Sequence, residues 1–241
     1  MNKEEEKGEK LEIIQKLEKS EIRDHSRNVI LAAISGIPVA GGPLSSLLSE
    51  YLPNWKQERI LNFIAELKLE MEKVQDKINE DYVKSEDFAL LFEETFIRVL
   101  RTNSDIKLVA YKAILVNACT NLSIKEIEKE YFLDLVNRLQ EIHLLILSLF
   151  WNPGKFGQIH LSSPPPNMYM GSIMEVIRSY MKPLNIEEGL IKSAIRDLDN
   201  MGLLSGVHQA LGVTMTSSGA LDLSGRISSL GRQFLNFITL E

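Results

Sequence analysis

The sequence predicts a mainly α protein, an N-terminal helical bundle followed by a smaller C-terminal α+β domain. Three observations carry this. Apolar residues recur at spacings of three and four between about residues 55 and 150, the period of helices with one buried face. Glycine-rich sequence with β character is concentrated after Met201. Charge is also divided unevenly: residues 1–136 carry 19 Lys/Arg against 25 Asp/Glu, while residues 137–241 carry 8 of each, so the net charge of −6 lies wholly in the first part. A chain of 241 residues has room for two modest domains. The expected division is a charged arm over 1–25, a bundle over 26–135, and a C-terminal domain over 136–241 that opens on a long Pro-rich loop, 151–170.

Leu11, Ile14 and Leu17 suggest a helix from about Leu11 to Arg23 within the Glu/Lys-rich arm. Val29–Ser49 has no charged residue and comes close to the ~20 apolar residues that span a bilayer. Gly36, Pro38, Gly41, Gly42 and Pro43 interrupt it, and proline inside a helix removes a backbone bond. Two short helices with a bend between them are expected. Ile34, Gly36, Pro38, Gly41, Gly42, Pro43 and Leu47 then belong either to a buried core hairpin or to a membrane-active segment hidden in the folded state.

Trp55–Tyr82 reads as one long helix capped by Asn54, with Ile60, Phe63, Ile64, Leu67, Met71, Val74 and Ile78 on one stripe. Ser85 caps the next helix, whose stripe is Phe88, Leu91, Phe92, Phe96 and Leu100. Ser104 caps another, with Leu108, Tyr111, Ile114, Leu115 and Ala118 inward. Ser123 with Glu126 has capping-box spacing and opens a helix expected to run from Ile124 to Phe150, with the domain junction near Leu135. Pro153–Gly154 stops it, Pro164–Pro166 favour an extended conformation, and Met168–Met170 are expected to dock the loop on the core.

Downstream, Met174, Ile177 and Met181 form a short apolar face. Ile186–Met201 forms a second helix, with Leu190, Ile191, Ala194, Ile195, Leu198 and Met201 inward. A two-stranded wing is expected in Val207–Ile227, and a closing helix in SLGRQFLNFI, residues 229–238. This order looks like a winged-helix domain. Reading DNA with that fold requires cations and donors on the recognition helix. The outward set here, Glu187, Glu188, Lys192, Ser193, Arg196, Asp197, Asp199 and Asn200, sets two cations against four carboxylates. Lys182, Lys192, Ser193, Arg196 and Arg226 are the candidate DNA or partner surface.

No motif for chemistry emerges. Cys119 is the single cysteine and reads as a buried core residue. His25, His143, His160 and His208 are scattered, with no HExxH motif and no phosphate-binding G-x-x-x-x-G-K-[ST] loop. Glu86–Asp87 and Glu93–Glu94 are adjacent on a helix, where neighbouring carboxylates point apart. No catalytic residue, metal ligand or cofactor is expected, and no small-molecule substrate. The charged N-terminus lacks an apolar signal region, which favours a cytoplasmic protein.

Residues 29–150 resemble the abortive-infection alpha (Abi-alpha) proteins of bacteria. The features that carry the likeness are IPVAGGPLSSLLSEYL, the long helix after it, FALLFEETFIRVLRTNSDIKLVAYKAILVNA, and a helix ending HLLILSLF. The resemblance implies a phage-defence protein that arrests growth, with no catalytic residues. The expected function is therefore non-enzymatic, through protein or membrane interactions of the bundle, with membrane association on activation. Self-association, a protein scaffold and DNA-binding regulation are the other readings.

Overall fold

A computed structural model describes residues 54–120, 124–166 and 168–240. They form two compact units, divided between Asp134 and Leu135. The mainly helical prediction holds: the described residues contain helices and a single two-stranded sheet.

The first unit holds α1 (Asn54–Lys73), α2 (Glu80–Val83), α3 (Glu86–Arg101), α4 (Asp105–Thr120) and the start of α5 (Glu126–Arg138). Helix α4 is its centre. Ala110, Tyr111, Ala113, Ile114, Leu115, Val116, Ala118 and Cys119 are all buried, and α1, α2 and α3 pack around it. A helix that is apolar on every side is stable only when enclosed in this way. Helix α1 contributes Ile60, Phe63, Ile64, Leu67 and Met71, as its stripe predicts.

Cations tie these helices together. Arg59 of α1 donates to the Thr102 carbonyl at 2.5 Å. Lys112 of α4 pairs with Glu66 of α1. Arg98 of α3 reaches Asp134 of α5 at 2.6 Å.

The expected single helix over Trp55–Tyr82 is broken. Residues Gln75–Lys77 form a 3-10 turn, Ile78 is extended, and Asn79 accepts a bond from the Tyr82 amide at 2.9 Å to begin α2. The Asn79 amide donates to Cys119 O at 2.9 Å, so the end of α4 fixes the break. Ser85 caps α3 as predicted, accepting from the Phe88 amide at 3.2 Å. Ser104 precedes α4, but its hydroxyl makes no hydrogen bond.

The second unit holds the end of α5, then α6 (Glu141–Trp151), α7 (Pro153–His160), β1 (Met170–Gly171), α8 (Ile173–Met181), α9 (Glu188–Asn200), α10 (Val207–Ala210), β2 (Met215–Thr216), α11 (Ser217–Leu221) and α12 (Ser229–Ile238). Helix α6 is its centre, with Ile142, Leu144, Ile146, Leu147, Leu149 and Phe150 buried and α7 and α9 packed against it.

The continuous helix expected from Ile124 to Phe150 is in fact two. It breaks at Leu139–Gln140, where Gln140 turns extended and its amide donates to Nδ1 of His143 at 3.1 Å. The long loop also contains a helix. Asn152 accepts from the Lys155 amide at 2.9 Å and Pro153 takes the first position of α7, where a missing N–H costs nothing.

The predicted two-stranded wing is not formed by Val207–Ile227 alone. Its strand β2 pairs instead with β1, upstream of α8, in the register Met170↔Thr216 and Gly171↔Met215. The rest of the segment coils into α10, α11 and a 3-10 turn, and an isolated antiparallel bridge joins Leu204 to Ile227.

Candidate functional site

The outer face of α9 is where the sequence placed a recognition surface. Helix α9 buries Ile191, Ala194, Ile195 and Leu198. Leu190, expected inward, is exposed, because it lies one residue off the stripe that meets α6.

The cations of this face, Lys192 and Arg196, have partners within the unit. Glu188 receives Arg178 of α8 through Nε at 3.0 Å and Nη2 at 2.8 Å, and Lys192 at 2.7 Å. Lys192 and then Arg178 hold its carboxyl below the usual carboxylate range. Arg196 donates through Nε to His208 Nε2 at 3.0 Å. Asp199 accepts the amides of Val207 at 3.2 Å and His208 at 2.5 Å, and so begins α10.

The predicted set is therefore dispersed. Lys182 is exposed in a 3-10 turn, and Ser193 is exposed on α9. Arg226 is half-buried and works inward, donating to Gly219 O at 2.9 Å and approaching Met215 Sδ at 3.3 Å. It holds the α11 region through Nη2. A face whose guanidinium and ammonium groups already have partners offers little counterion release to a nucleic acid. Ile34, Gly36, Pro38, Gly41, Gly42, Pro43 and Leu47 lie outside the described residues. Among the described residues no helix is long and apolar enough to cross a membrane.

Sequence reading missed a buried polar cluster in the first unit. Lys129 is 1% exposed, pairs with Glu126 Oε1 at 2.6 Å, and sits 3.8 Å above the Tyr82 ring. Tyr82 donates to Glu126 Oε2 at 3.0 Å, and burial, reinforced by Glu126, raises the phenol above its ordinary value. Cys119 is buried, and burial pushes its thiol up to about 12, with Lys129 opposing. A thiol held protonated is a poor nucleophile and ligand. The signal was present only as a lysine on the inward side of α5, where periodicity leads one to expect an apolar residue.

The histidines of the second unit are engaged. His160 packs on Phe156 with ring centroids 4.3 Å apart. His208 accepts from Arg196. His143 is 7% exposed; Nδ1 accepts from Gln140, and Nε2 faces Asp197 Oδ2 at 3.5 Å. Buried in this way, the ring is closed off from any substrate that would have to meet it from solvent. No group of three or more His, Cys, Asp or Glu among the described residues converges to hold a metal.

One stretch of the second unit is uncharged and exposes large apolar side chains. The sequence from Leu161 to Met174 contains no charged residue. Leu161 is 89% exposed, Tyr169 88% and Met170 65%. The expectation that Met168–Met170 dock on the core is thus overturned for Tyr169, just before β1, and for Met170 in it, whose side chains are both exposed to solvent. Leu161 ends α7 at φ 51°, the left-handed region, which costs a non-glycine residue about 1 kcal/mol or more. No protein-family model, curated protein or solved structure matches the chain.

Proposed function

We propose that this is a non-enzymatic interaction protein whose second unit binds a protein partner through the uncharged strap from Leu161 to Met170. The observation that carries the reading is the exposure of Leu161, Tyr169 and Met170 in an uncharged stretch, whereas Lys192 and Arg196 of α9 already have partners within the unit. Pro164, Pro165 and Pro166 restrict the strap, so little conformational entropy is lost when it is held. Protein grooves lined with aromatic residues accept such proline-rich strands. The biological setting we assign is phage defence by growth arrest, supported by the Abi-alpha resemblance of residues 29–150. A winged-helix relationship of the second unit rests on its helix order and on the Leu204–Ile227 bridge, and serves docking in this reading.

Phage plating on cells that express the chain tests both parts. The intact chain should lower plaque number, and Leu161→Ser with Tyr169→Ser should restore it while the helical circular dichroism stays unchanged. Full plating on the intact chain sinks the defence setting. Protection kept by the folded double variant sinks the strap.

A further inference from the structure

His143 stands at the break between α5 and α6. Its ring nitrogens face different elements. Nδ1 accepts the Gln140 amide at 3.1 Å, so in this arrangement Nδ1 carries no proton and Nε2 does. That Nε2–H has no hydrogen-bond partner and is buried. Asp197 Oδ2 of α9 lies 3.5 Å from it, beyond a good hydrogen bond.

We propose that proton uptake by His143 exchanges the bond that begins α6 for an ion pair between α6 and α9. The proton can go only to Nδ1. Once protonated there, the ring has two donors and the Gln140 amide loses its acceptor. In return the imidazolium faces the Asp197 carboxylate, and the attraction draws the ring toward α9.

The other charged groups on the elements packed against α6 do not compete for the ring. On α9, Glu188 and Lys192 are paired to each other, Arg196 is bonded to His208, and Asp199 holds the α10 amides. On the 3-10 turn Ser224–Arg226, Arg226 is turned to Gly219. On α7, Lys155 is exposed and His160 lies on Phe156. Glu141 on α6 itself is exposed, as is Arg138 at the end of α5.

Nitrogen-15 NMR of the full chain tests this. At about pH 8 the His143 ring should be the single tautomer with Nε2 protonated. On acidification to about pH 5 the Gln140 amide should exchange about five- to tenfold faster, corrected for its intrinsic rate, as expected for loss of one backbone bond. Leu139 and Glu141 amides serve as internal references. His143→Gln keeps an acceptor but gains no proton, and should remove the response. Asp197→Asn, a change at the protein surface, should blunt it without unfolding the chain. A Gln140 amide indifferent to pH, or an equal response in His143→Gln, overturns the proposal.

Discussion

Lys129 Nζ lies 2.6 Å from Glu126 Oε1 on the same face of α5, so a fully buried ammonium depends on one half-exposed carboxylate and on the Tyr82 ring. Removing one partner of a buried pair leaves an uncompensated charge, whereas replacing the cation by an apolar group does not. Glu126→Ala should therefore destabilise the protein by about 2 kcal/mol, below the fully buried range because Glu126 is solvent-accessible. Lys129→Met should cost less than about 1 kcal/mol. Urea unfolding of the two variants decides it; the reverse order would show that Lys129 is held by something other than Glu126.

Glu188 gives the second prediction, on pH. Its folded-state pKa is depressed by Lys192 and Arg178, so it contributes stability that is full above the ordinary Glu value. That contribution is lost as pH falls through the lowered folded value. Glu188→Gln should flatten the acid limb of the stability curve in that window and leave the curve above it parallel to the parent. Added salt should shrink the difference, because the group is exposed.

The same carboxylate bears on nucleic acid. With Glu188 in place, retention of the chain by duplex DNA at low salt should be weak and insensitive to Lys192→Ala. Glu188→Gln frees two cations and should strengthen retention, with a steeper salt dependence. Gel-shift titrations over a salt series measure this, and strong parent binding abolished by Lys192→Ala would refute the closed-face description.

Cys119 is buried, with its thiol pushed up to about 12. A disulfide reagent at neutral pH should leave the native chain untouched and react fully once guanidinium unfolds it. Fast labelling of the native chain would show that α4 opens around this residue.

Gly231 in α12 tests packing against propensity. A Cβ there would collide with the Leu203 carbonyl, next to the Leu204–Ile227 bridge, and come within 2.8 Å of Cγ2 of Ile227 in that bridge. Alanine is favoured over glycine in a helix by about 1 kcal/mol, yet Gly231→Ala should lower the melting temperature. A rise in melting temperature would mean that α12 can move away from the bridge.

Much of the helical architecture was legible because its causes are local. The stripe Ile60–Met71 is buried as its spacing requires, and Ser85 caps α3. The breaks were hidden because distant or unusual partners make them: Cys119 O takes the Asn79 amide, and a histidine nitrogen takes the Gln140 amide. Both breaks fall inside runs whose apolar period continues across them. Of the candidate surface, the excess of carboxylates on α9 was visible in composition, but the inward turn of Arg226 was not.

By itself the sequence determined that the chain is mainly helical, which apolar stripe of α1 is buried, where α3 begins, and that Cys119 would be buried. Those outcomes follow from side-chain period and hydrophobicity, which act over a few residues. The tertiary structure alone decided that β2 would pair with β1, that Tyr169 and Met170 would face outward, and that His143 would meet Asp197. Each of these joins groups far apart in the chain, and their closeness depends on how helices pack, which no local pattern encodes.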